Sequence, residues 1–193
     1  LTGRIGNGTA VTNINVGSAT QAGALTVSGT ADATNITITG GNNLAEDSTA
    51  TFTGAVASVT ALNITASATA DATATFQAAV TATAITLDDG TSGNATFIAD
   101  NQAGITIAGT IDGNTADEGT LKVEGGTNLT TFSSNIGAIQ SLSAITVGGS
   151  TDDGDAKFDG TVAAKTITID GATAGDNNAD FNGNVVAGSG GIN

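Results

Sequence analysis

Apolar residues occupy every second position over short stretches of this chain, and one such stretch keeps returning. It reads Ala50-x-Phe52-x-Gly54-x-Val56, Ala74-x-Phe76-x-Ala78-x-Val80, Ala156-x-Phe158-x-Gly160-x-Val162 and Ala179-x-Phe181-x-Gly183-x-Val185. A period of two marks a half-buried strand. In the copy at Ala156 the motif predicts Ala156, Phe158, Gly160 and Val162 on one inward face, with Lys157, Asp159 and Thr161 outward. A second, shorter run predicts another strand: Ile36-Thr37-Ile38, Ile85-Thr86-Leu87, Ile105-Thr106-Ile107, Ile145-Thr146-Val147 and Ile167-Thr168-Ile169, with weaker forms at Leu25-Thr26-Val27, Ile64-Thr65-Ala66 and Leu121-Lys122-Val123. These runs are rich in β-branched residues and mostly bounded by Gly, Asn or Asp. No helical spacing competes with them.

The two runs are linked by spacing. Phe52, Phe76, Phe97, Phe132, Phe158 and Phe181 are 24, 21, 35, 26 and 23 residues apart, and an Ile-type run follows most of them. One repeat is therefore a Phe strand, a turn, an Ile strand and a second turn. The 35-residue interval is accounted for if Leu121-Lys122-Val123 fills an extra strand position. Ile14, Leu25 and Ile36, each 11 apart, read as half-repeats without Phe. A unit of this length cannot bury its apolar face alone and must stack on its neighbours. The expected fold is all-β: a β-solenoid of about eight coils with a period of about 22 residues, in which like side chains stand on like. The alternative is a β-sandwich of antiparallel strands, but a sandwich gives no reason for alternate strands to be alike. Residues 1–193 form one repeat array on this reading, and its last residues resemble the opening of another repeat, as expected for a processed product or a segment of a longer chain or filament.

Composition narrows the core. Hydrophobic residues make up 39%, but much of that is Ala, and the only aromatic residues are six Phe. Such a chain fills a thin stacked core better than a round one. Pro is absent, which keeps hydrogen-bond ladders intact. Cys and His are absent as well, removing thiolate and imidazole chemistry. The net charge of −14 speaks against nucleic-acid partners and against attraction to anionic membranes. No stretch approaches the length of a spanning helix, so no membrane insertion by this segment is expected.

Candidate chemistry lies in the turns. Fourteen of the 18 acids lie from Asp88 onward, densest at Thr151-Asp152-Asp153-Gly154-Asp155. Asp152, Asp153, Asp155, Asp176 and Asp180 are candidate oxygen donors for calcium, which takes six to eight such ligands; the simpler reading is solvated turn acids. Carboxylate pairs also serve glycosidases, but with no His, Trp or Tyr and only Arg4, Lys122, Lys157 and Lys165 as bases, an enzyme is not expected. Thr in each Ile-Thr-Ile run forms an exposed ladder. An ice-binding face would pair Thr-x-Thr in every coil, and at the Ile strands only Thr37 with Thr39 and Thr166 with Thr168 have that spacing. Asn-x-Thr triplets at Asn7, Asn35, Asn63, Asn94 and Asn128 are as frequent as chance gives.

The recurring Ala-Thr-Phe-x-Gly-x-Val-x-Ala followed by Ile-Thr-Ile, from about Ala24 to Val186, resembles the passenger repeats of bacterial autotransporter adhesins and related β-strand-repeat surface proteins. The resemblance implies a secreted cell-surface stalk on a β-solenoid, with an adhesive or coating role and no catalytic residue. The expected function is thus a non-catalytic extracellular stalk or filament. Alternatives are an adhesin module holding glycan or protein in variable loops such as Asp112 to Gly119, and an S-layer or sheath component. The partners expected are copies of the chain itself, end to end or lateral, and a host or cell-surface glycan or protein.

Overall fold

A computed structural model describes residues 1–43, 45–100, 102–149, 153–170 and 177–193. The described residues contain strands and turns and no helix. One eight-stranded sheet is formed by β1 (Val11–Val16), β3 (Ala31–Thr39), β5 (Val56–Thr65), β7 (Val80–Asp88), β9 (Ile105–Gly113), β11 (Gly126–Phe132), β13 (Gly154–Phe158) and β15 (Asn178–Phe181) in that order. The other contains β2 (Ala24–Val27), β4 (Ser48–Phe52), β6 (Ala72–Phe76), β8 (Ala95–Asp100), β10 (Thr120–Glu124), β12 (Leu142–Gly148), β14 (Val162–Asp170) and β16 (Val185–Ile192). Every strand is parallel to its ladder neighbours, and successive strands alternate between sheets, so the chain winds as a β-solenoid and not as a sandwich. It makes about seven turns with a period of about 24 residues, slightly fewer and longer than the spacing of its motifs predicts. At about 4.8 Å per coil the rod is about 35 Å long.

The long strands β3, β5, β7 and β14 each contain a register shift, between Asp32 and Asn35 in the first and between Ala164 and Thr166 in the last. Each lines two parts of the core, so partners followed from coil to coil trace three columns. The first runs Val27, Phe52 and Phe76 in register, passes to Phe97 through the stacked rings although the register partner of Phe76 is Ala99, and continues Leu121, Ile145, Ile167, Ile192. The second runs Ile5, Ala31, Val56, Val80, Ile107, Phe132, Phe158, Phe181. The third runs Ile14, Ile36, Leu62, Ile85, Ile111, Ile136, Val162, Val185. Nearly all of these side chains away from the rod ends are buried in one continuous cluster.

The columns change occupant partway along the rod. From Phe52 to Ile85, Phe stands in column one, Val in column two and Ile or Leu in column three. After β10, Phe has moved to column two, Val to column three and Ile to column one. The cause is the extra strand expected from the 35-residue interval: Leu121-Lys122-Val123 takes a position in column one beneath Phe97 and above Ile145, and every later motif is displaced by one column. The Phe rings accordingly form two separate stacks. Phe52, Phe76 and Phe97 stack with centroids 5.2 and 4.5 Å apart, and Phe132, Phe158 and Phe181 with centroids 5.0 and 4.9 Å apart.

One expectation is corrected. Ala-x-Phe-x-Gly-x-Val is not a single strand: β13 ends at Phe158, β14 begins at Val162, and Gly160 is on the corner between them. The period of two survives because a corner of three residues keeps Val pointing inward. The glycine is there for backbone clearance, since a Cβ on Gly54 would come within 2.3 Å of the Gly29 carbonyl oxygen and one on Gly183 within 2.2 Å of that of Gly160.

Phe76 has a ring on each side and is fully buried. Replacing it with Ala removes its burial and two stacked contacts and should cost about 3–5 kcal/mol. Phe181→Ala, at the last coil with a ring on one side only, should cost less. Urea unfolding of the two variants checks the order.

Candidate functional site

The turns explain the crowding of acids. Parallel coils leave backbone amides at the corners without strand partners, and side-chain oxygens of the adjacent coil accept from them. Asp47 Oδ1 accepts from Asp71 N–H at 2.9 Å, and Asp71 Oδ1 accepts from Asn94 N–H at 2.7 Å. Asp89 takes Ala95 N–H at 2.6 Å and Gly119 N–H at 2.8 Å on its two oxygens. Asp112 Oδ1 accepts from Ile139 N–H at 2.9 Å, and Asp155 Oδ1 from Asn178 N–H at 3.0 Å. Asn177 does the same with both ends of its amide, accepting from Gly154 N–H at 2.5 Å and donating to the Asp170 carbonyl. Such acids are structural acceptors, a role that neither solvated corners nor metal ligands had covered.

Of the calcium candidates, Asp152 and Asp176 lie outside the described residues. Asp153 stands at the entry to β13 with its Oδ1 buried and unpartnered, and Asp155 is occupied by the Asn178 amide. Asp180 is paired in register with Lys157, whose Nζ lies 2.8 Å from Asp159 Oδ1. Asp159 also accepts from Asn182 Nδ2 at 2.9 Å. The hydrogen bond and charge of Asp159 raise the Lys157 pKa, and the hydrogen bonds from Lys157 and Asn182 lower that of Asp159. Among the described residues no three acids converge on one point, and no cavity or cleft opens on the surface.

The regular feature of the exterior is a threonine lattice outside column one. Thr49, Thr73, Thr96 and Thr120 follow one another in register in one row, with Thr166 two coils further on beyond Ala144. Two residues along each strand a second row holds Thr26, Thr51, Thr75, Ile98, Lys122, Thr146 and Thr168. Half of these threonines belong to the Phe strands, so a search confined to Ile-Thr-Ile runs finds only part of the face; the x position of Ala-x-Phe carried the missing signal. The Thr of the Ile-Thr-Ile runs does not form one ladder either. Thr37 and Thr86 lie outside column three, Thr106 outside column two, and Thr146 and Thr168 outside column one, because the shift at β10 divides them. Between strands the lattice repeats at about 4.8 Å and along each strand at about 6.6 Å. No outward position in either row is acidic, although the chain carries a net charge of −14.

The segment from Asp112 to Gly119 is no free loop. Asn114 N–H donates to the Leu87 carbonyl at 2.8 Å and Asp117 N–H to that of Ser141 at 2.8 Å, and Glu118 Oε2 holds Thr115 N–H at 2.9 Å. The chain matches no family model, no curated protein and no solved structure.

Asp88, at the end of β7, has its pKa raised by burial and then by Glu118, with Asp89 adding and the Asn114 hydrogen bond opposing. A carboxyl whose pKa is higher folded than unfolded favours the fold below its unfolded value and loses that advantage as pH rises through the folded value. Asp88→Asn, which removes the charge, should therefore raise the melting temperature at pH 7 and leave it unchanged near pH 3; thermal scans at the two pH values check the sign.

Proposed function

We propose that this chain is a non-catalytic structural repeat acting outside the cell, where it forms a stalk or filament that carries or coats a surface. The observation that carries this reading is the uninterrupted core: three columns run the length of the rod, the corners are clipped coil to coil, and no concave site opens among the described residues. Binding energy goes into length and stiffness. Within residues 1–193 the outermost strands are β1 and β2 on one side, where Leu1 already pairs with β2 through Thr26 O and Ser28 N–H, and β15 and β16 on the other, where Val186 is 58% and Ile192 55% exposed. Exposed parallel edges of this kind pair with other chains, which favours copies of the chain itself as partners. Sedimentation of the 193-residue chain over a wide concentration range, with negative-stain images, tests this. Rods in multiples of about 35 Å are expected, and monomers throughout would remove the reading.

The threonine lattice favours a second reading, in which adhesion uses this flat, acid-free face and not the turns. Its two spacings are comparable with the oxygen repeats of an ice surface, and hydroxyl and methyl groups alternate on it without acidic interruption. Ice recrystallisation assays with the chain and with a Thr73→Lys, Thr75→Lys variant decide the matter. Inhibition that the variant loses supports an ice-facing role, and no inhibition by the unaltered chain excludes it.

A further inference from the structure

The threonine rows outside column one are not uniform, and their departures gather in one place. The first row keeps Thr49, Thr73, Thr96 and Thr120 and then loses its hydroxyl at Ala144. The second keeps Thr26, Thr51 and Thr75, then holds Ile98 and Lys122 before Thr146 and Thr168 resume. All three exceptions fall on β8, β10 and β12, neighbouring strands of one sheet. They also differ in height. Ala144 stops at its Cβ and leaves a dip, Ile98 reaches one carbon further than Thr, and Lys122 carries a flexible four-carbon stem that ends in a strongly hydrated ammonium. Charge gathers at the same coils. Asp100 and Glu124 pair in register two residues beyond Ile98 and Lys122, and Asp100 Oδ2 accepts from Gln77 Nε2 at 2.7 Å.

The layer beneath changes on the same strand. Ala50 stands on Ala74 and Phe52 on Phe76, with the rings 5.2 Å apart and 4° from parallel, so β4 and β6 present one outline twice. At β8 the two residues trade places: Ala74 pairs with Phe97 and Phe76 with Ala99, and the Phe76 and Phe97 rings meet at 23°. The regular part of the face is therefore Thr49, Thr51, Thr73 and Thr75, extended by Thr26 on β2 and Thr96 on β8.

We propose that this patch, on β2, β4, β6 and β8, is the part of the face that meets ice, and that Lys122 sets its limit by holding the crystal off the coils that follow. The proposal rests on the ice reading above. Ice is a rigid partner that does not rearrange around a protruding group, so contact extends only as far as neighbouring side chains end at one height. The Lys122 ammonium keeps its hydration in liquid water and loses it against a solid lattice, where an unpaired charge is costly. Thr146, Thr166 and Thr168 carry the same chemistry but lie across that step. The extra strand that displaced the columns thus also divides the outer lattice, because Lys122 belongs to it.

Ice recrystallisation assays over a dilution series test the division, with far-UV circular dichroism to show that each variant keeps the strand signal of the unaltered chain. Thr75→Lys, inside the patch, should abolish inhibition, while Thr168→Lys, beyond Lys122, should leave it unchanged. Lys122→Thr, which installs the residue most of the row already carries, should inhibit at a severalfold lower concentration than the unaltered chain. Lys157→Thr, which removes the same charge from outside column two, should not. Loss of inhibition in Thr168→Lys, or a Lys122→Thr endpoint no lower than that of the unaltered chain, overturns the division and leaves the ice reading standing. No inhibition by the unaltered chain overturns both.

Discussion

In-register parallel pairing of each coil with the next is the constraint on which the rest of the molecule depends. A parallel ladder sets every residue directly over its counterpart about 24 residues earlier, so a side chain must suit both itself above and itself below. Ala, Val, Ile and Phe repeat because each fills the same slice of a narrow interior. The aromatic stacks follow from this rule: Phe52 on Phe76 and Phe132 on Phe158 lie nearly parallel, with interplanar angles of 4° and 8°, because the backbone delivers them one coil apart in the same orientation. The rule also makes polar intrusions expensive. Thr130, fully buried between Ile105 and Ala156, keeps a hydroxyl without a partner, and burying such a group costs about 1–3 kcal/mol.

The extra strand at β10 demonstrates what the rule permits. Only volume and polarity have to match across a ladder, not identity, so Leu121 can follow Phe97 and Phe132 can follow Ile107. The insertion leaves the core continuous but turns the sequence pattern by one column. It also separates the aromatic stacks and scatters the Ile-Thr-Ile threonines over different faces. One local event thus rewrites the exterior and reassigns the core residues while the interior stays continuous.

Much of this was legible in the residues. Alternation gave the strands, recurrence gave the stacking, and the 35-residue interval between Phe97 and Phe132 announced the added strand. Three things were not legible. The corner at Gly160 escaped because a three-residue turn preserves the period of two, so Val162 looked like a continuation of the strand that ends at Phe158. The threonine lattice escaped because Thr49 and Thr73 belong to a different motif from Thr146 and Thr168, and only the coordinates bring both onto one face. The work of the turn acids escaped because Asp71 and Asp112 serve amides in the next coil, 23 and 27 residues away, and sequence spacing alone does not reveal which amides the ladders leave open.

Charge follows the same division of labour. The described acids lie in the turns or within one residue of a strand end, as Asp88, Asp100, Glu124 and Asp170 do, while the two threonine rows are free of them. Rods approaching side by side with their turns together meet like charge at short range, where screening over about 8 Å at physiological salt is incomplete. The acids therefore oppose side-by-side contact between rods by like-charge repulsion.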